Sequence, residues 1–91
     1  MVLVRKHPGN MSYDELWEYH NYLWDFLHER GFVPSSQDVL HLRATVSDEQ
    51  WERLGRLLES AMEKLKAGGS IDDLTDEEYA FFTIRAIRFS G

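Results

Sequence analysis

Apolar residues recur at three-and-four spacing in three stretches of the chain, and each stretch opens on the same polar signal. In residues 12–30, Leu16, Tyr19, His20, Leu23, Phe26 and Leu27 share one face when the chain turns about 100° per residue. Ser12 and Glu15 stand in the spacing of a capping box, and Met11 with Leu16 fits a hydrophobic staple. Gly31 supplies the stop, since it takes the left-handed conformation that ends a helix. Trp17 and Trp24 flank the apolar face on one side and Tyr22 on the other, so the arc covers roughly half the circumference.

The second stretch, 47–67, repeats the grammar. Ser47 and Gln50 form a box, and Trp51, Leu54, Leu58, Ala61 and Leu65 form a stripe. Glu49 to Arg53 and Glu52 to Arg56 are four-residue acid–base pairs in the favourable order. Gly68-Gly69 stops the helix. The third stretch, 76–88, opens on Thr75 with Glu78 and is apolar almost all round, with Arg85 and Arg88 marking its wet side. Such a helix is either buried centrally or shared with another chain.

These patterns predict a mainly α fold, a single-domain helical bundle of three to four helices spanning residues 1–91. The fourth element, 36–46, is ambiguous. Ser35 with Asp38 resembles a cap, whereas Leu40, Leu42, Ala44 and Val46 alternate as in a strand. An α+β fold with short strands at 2–5, 39–46 and 79–89 is the alternative, because all three segments carry β-prone residues.

Size admits one domain and a modest core. The chain has no cysteine, which removes disulfides and thiolate zinc sites and fits a cytoplasmic location. Its apolar runs are too short for a membrane span. The net charge of −6 is unevenly placed: residues 12–38 carry six acids against Arg30, and residues 68–78 carry five acids and no base. Phosphate backbones are held by Lys and Arg, so nucleic acid is not the expected partner. A basic protein surface is.

Candidate chemistry is sparse. His20 and His28 lie too far apart on one helix to share a metal, and Asp25 with His28 lacks further ligands. Asp72, Asp73, Asp76, Glu77 and Glu78 lack the alternation and central glycine of a calcium loop. There is no phosphate loop and no nucleophile elbow. Neither catalysis nor a cofactor is expected.

The run FLHERGFVPSSQDVLHL, through Gly31, Phe32, Pro34, Ser35, Asp38 and Val39, resembles the first half of a LexA-like winged-helix DNA-binding domain. The resemblance implies a helix–turn–helix regulator. The chain then departs from the pattern, opening the would-be recognition helix on the acidic Ser47-Asp48-Glu49-Gln50-Trp51-Glu52, with no basic wing after it.

The expected function is that of a small acidic binding module, an adaptor, inhibitor or regulatory subunit that docks on a larger protein through a basic or apolar surface. Its expected contact residues are Trp17, Asn21, Trp24, Asp25 and His28 on the first helix, with Asp72, Asp73 and Asp76 as a second patch. Self-association through 79–89 is the other use of an apolar last element. A DNA-binding helix–turn–helix regulator is the alternative function.

Overall fold

The computed structural model describes residues 3–6, 8–34 and 46–89. Among them are three α-helices and no strand: α1 (Tyr13–Glu29), α2 (Asp48–Lys66) and α3 (Asp76–Phe89). Short 3-10 turns at Pro8–Asn10 and Ile71–Asp73 precede α1 and α3. The mainly α reading holds. The ambiguous element at 36–46, including the alternative strand at 39–46, lies outside the described residues save for Val46, which is buried.

The expected caps are formed. Ser12 Oγ accepts from the Glu15 amide while Glu15 Oε1 accepts from the Ser12 amide, both at 3.3 Å. Ser47 and Gln50 do the same at 3.1 and 2.9 Å, and Thr75 and Glu78 at 3.2 and 2.8 Å. Each box satisfies two amides that an uncapped helix leaves open. Two helices also end alike. Past α1, the Gly31 amide donates to His28 O and the Phe32 amide to Leu27 O, with Gly31 at φ +79. Past α2, Gly68 at φ +92 and Gly69 repeat the pattern onto Leu65 O and Lys64 O. This is the Schellman arrangement, in which a left-handed glycine turns the chain back onto the last carbonyls.

Helix α3 is the element the others cover. It packs against both α1 and α2, and Tyr79, Ala80, Phe81, Thr83, Ile84 and Ile87 are buried. The strand alternative for 79–89 is thereby excluded, and most of its described apolar residues are enclosed by the same chain, with Phe82 half-buried and Ala86 exposed. From α1 come Tyr19, Leu23, Trp24, Phe26 and Leu27. Helix α2 contributes less, with Leu54 and Ala61 fully buried and Trp51, Leu57 and Leu58 packed at the margin.

The alternative strand at 2–5 is not formed among its described residues, 3–5. Residues 3–6 lie against α1 and α3, with Leu3 buried, and tyrosine hydroxyls hold their backbone. The Val4 amide donates to Tyr22 OH at 3.1 Å, Tyr19 OH donates to Val4 O at 2.7 Å, and Tyr79 OH donates to Lys6 O at 2.8 Å. Each phenol has one proton, and both protons go to carbonyls. The Tyr19 and Tyr79 oxygens, 2.9 Å apart, therefore share the Lys6 amide, which reaches them at 3.0 and 3.2 Å. Burial pushes the Tyr19 hydroxyl well above the usual phenol range; the neighbouring Tyr79 hydroxyl adds to this and the Lys6 amide opposes it.

Three consecutive acids open α3, and each takes a base from a different element. Asp76 pairs with Arg5 at 2.9 Å, Glu77 with Arg30 at 2.8 Å and Glu78 with Lys64 at 2.6 Å. Arg5 also donates to Ile71 O and Leu74 O, at 3.0 and 2.7 Å. The exposed members of this set are worth little, but Glu78 is 3% exposed. Burial pushes its carboxyl up, yet Lys64, the Ser60 hydroxyl and the Thr75 amide and hydroxyl outweigh that and hold it at about 2.

A carboxyl held below its unfolded value stabilises the fold above that value, and the contribution fades as pH falls through the folded one. Denaturant unfolding should therefore show stability dropping by roughly 2 kcal/mol between about pH 4.5 and 2 through this group. Glu78→Gln should be less stable at pH 7 and show a flatter decline over that window; an unchanged slope would remove Glu78 as the cause.

Candidate functional site

Along α1, Tyr13, Trp17, His20, Asn21, Trp24 and His28 fall at three-and-four spacing and make one stripe. The stripe is a ladder of rings. Tyr13 meets Trp17 edge-on at 6.1 Å between centroids, Trp17 tilts onto His20 at 5.1 Å, and His20 stacks on Trp24 at 6.0 Å. Its ends differ in exposure. Tyr13 is 71% exposed, Trp17 is half-buried, and Trp24 is 1% exposed.

The expectation that Trp24 shares an exposed edge with Trp17 is overturned. Its indole Nε1 donates to Pro34 O at 2.9 Å, so the segment after α1 folds back and covers it. His28 stays exposed but is tied to the same return. Its Nδ1 lies 3.0 Å from Val33 O, and because a carbonyl only accepts, that nitrogen carries the proton. His20, expected at the edge of the core, is fully buried, with Nδ1 3.3 Å from Asn21 Oδ1. Asn21 and Asp25 are exposed. Of the five expected contact residues on α1, Asn21, Asp25 and His28 are thus exposed, Trp17 is half-buried and Trp24 alone is enclosed.

The second acidic patch is not brought together as a free surface. Asp73 Oδ2 accepts from the Ser70 amide at 2.8 Å and caps the 3-10 turn, and Asp76 is paired with Arg5. Asp72 stays exposed. The Ser70–Asp73 box has the same three-residue spacing as the other caps, so the signal for this turn is present in the residues.

The outer half of α1 is acidic. Asp14, Glu15, Glu18, Asp25 and Glu29 are exposed there, and the helix contains no Lys or Arg. This acidic strip runs between two aromatic borders, Tyr13 and Trp17 on one side and Tyr22 on the other. Beside Tyr22 lies a cleft of about 290 Å³ lined by Val4, Lys6, Met11, Glu15, Glu18, Tyr19 and Tyr22. A larger groove of about 640 Å³, between Arg5, Ile71, Phe82 and Ala86, is mostly apolar. Of its polar groups, Arg5 is held by two carbonyls and Asp76, and Tyr79 OH by Lys6 O, while Lys6 and Asp72 are exposed at its edge.

No three His, Asp or Glu side chains among the described residues stand where they could hold a metal ion, and no described helix is long and apolar enough to cross a membrane. Of the corner resembling a winged-helix domain, only the part through Pro34 lies among the described residues, and there Gly31 turns the chain. The opening of α2 beyond it exposes Asp48, Glu49 and Glu52. No protein-family model, curated protein or solved structure matches the chain.

The two early indoles separate cleanly by mutation. Trp24→Ala should cost about 3–5 kcal/mol of unfolding free energy, as emptying a core site does. Trp17→Ala should cost about 1 kcal/mol or less and leave the helical circular-dichroism spectrum intact. Equal losses would place both indoles in the core.

Proposed function

We propose that this chain is a small non-enzymatic protein-binding module of the cytoplasm that docks the outer face of α1 on a basic surface of a larger protein. One observation carries the reading: the exposed half of a seventeen-residue helix bears five acids and no Lys or Arg, with His28 in its last turn, and is bordered by an exposed tyrosine and a half-exposed tryptophan. Aromatic side chains at such a border supply contact area, and the carboxylates supply attraction and orientation. The spacing adds a second support. Asp14 with Glu18 and Asp25 with Glu29 are like charges four residues apart, each pairing costing the free helix a few tenths of a kcal/mol. A basic partner removes that repulsion on binding.

The alternative, a DNA-binding regulator, finds no support on the described surface. The turn where a recognition helix would meet phosphates begins Asp48-Glu49, and both are exposed.

The test is fluorescence anisotropy with a labelled amphipathic peptide that has an arginine face and a leucine face. It should bind, more weakly as salt rises, and Tyr13→Ala with Trp17→Ala should weaken it about tenfold or more. Glu59→Gln and Glu63→Gln on α2 should change little. If the α2 substitutions matter as much as those on α1, the attraction is only that of net charge and the surface is wrong. A mixed-sequence DNA duplex at low salt should not bind.

A further inference from the structure

The cleft at the tyrosine border of the α1 strip has a composition suited to one kind of side chain. Its two carboxylates, Glu15 and Glu18, lie one turn apart on the same side of α1 and are exposed. Tyr19 and Tyr22 line it as a stacked pair, with centroids 5.9 Å apart and planes at 17°. Val4, 52% exposed, and Met11 give it apolar walls. At about 290 Å³ it falls below the range of roughly 300–1,000 Å³ typical of small-molecule sites, which suits a single side chain rather than a cofactor.

The cleft also meets a cation of this chain. Lys6 lines it, and its Nζ lies 6.0 Å from the centroid of the Tyr19 ring. The lysine is exposed, and two acids face one base around the opening. An ammonium at that distance marks the ring as a place where positive charge is accommodated.

We propose that this cleft seats an arginine side chain of the basic partner, its guanidinium against the tyrosine pair and its donors on Glu18 and Glu15, with Lys6 displaced into solvent. Carboxylates one turn apart match the planar fork of a guanidinium, which also lies flat on aromatic rings; an ammonium does neither. Glu18 is the principal acceptor, because Glu15 Oε1 already accepts from the Ser12 amide. The inference rests on the reading of α1 as the docking face and names the chemistry that face selects.

The experiment is an NMR titration of the full chain with Nα-acetyl-arginine methylamide, beside the matching lysine compound and the uncharged isostere made from citrulline. The arginine compound should shift the amides of Val4, Lys6, Glu18 and Tyr22 saturably, and bind at least about fivefold more tightly than the other two. Glu18→Gln should weaken it about fivefold or more, and Lys6→Ala should strengthen it about twofold by removing the competing cation. Shifts spread over the acids of α2, equal binding of citrulline, or lysine binding as tight as arginine would each overturn the proposal. If the amphipathic peptide binds α1 but Glu18→Gln leaves its affinity unchanged, the cleft is wrong and the docking face stands. If blocked arginine saturates the cleft while the peptide fails to bind, the cleft stands and the docking face is wrong.

Discussion

Asp76, Glu77 and Glu78 bind three separate parts of the chain to the start of one helix. Arg5 arrives from the N-terminal segment, Arg30 from the end of α1, and Lys64 from the end of α2. Acids are favoured at that position by the helix dipole before any partner reaches them. Their bases come from elements that must already lie against α3, so the ion pairs and the apolar packing require the same arrangement. Two of the pairs are exposed enough to add little energy individually. Lys64–Glu78 differs because the carboxylate is buried, and a buried carboxylate deprived of its ammonium would leave an uncompensated charge in the interior. The hub thus contributes more to choosing one packing over another than to the sum of the stability.

The same hub shapes the surface. Three of the chain's ten Lys and Arg residues are drawn to the first turn of α3. Arg53 is drawn to the end of α1, where it donates to Gly31 O at 3.3 Å and lies over the Phe32 ring at 4.4 Å. These four bases therefore sit at the ends of α1 or beyond it. The helix's own sequence supplies no Lys or Arg. The acidic strip follows from where the fold places its bases as much as from how many acids the chain contains.

Much of the fold is legible in the residues because caps act locally. Ser12–Glu15, Ser47–Gln50, Thr75–Glu78 and the glycines at 31 and 68 each depend on neighbours within a few positions, so spacing alone places the helix ends. What spacing does not hold is long-range. The tyrosine hydroxyls that occupy the backbone of residues 4–6 come from positions 13 to 73 residues away along the chain. The segment's β-propensity does not produce a strand among its described residues, and nothing near it in sequence announces that phenols would hold its backbone instead. Likewise Trp17 and Trp24 stand on the same flank of α1. Only the return of the chain to place Pro34 O against one indole decides which is enclosed.

That asymmetry gives the α1 ladder its character. Its inner end is fixed: Trp24 is hydrogen-bonded and buried, and His20 is enclosed between the two indoles. The outer rings, Trp17 and Tyr13, continue the same line of contacts into solvent. A half-exposed tryptophan held from below by a buried ring loses less conformational freedom on binding than one standing free, and ordering side chains is a principal cost of association. The acidic strip beside it is fixed in the same sense, since its carboxylates project from a helix capped at both ends. Rigid aromatic area next to a row of like charge is a surface whose free energy falls when a complementary cation row covers it. The interior contacts that make α1 a stable helix are therefore also what keep its outer face ready for a partner.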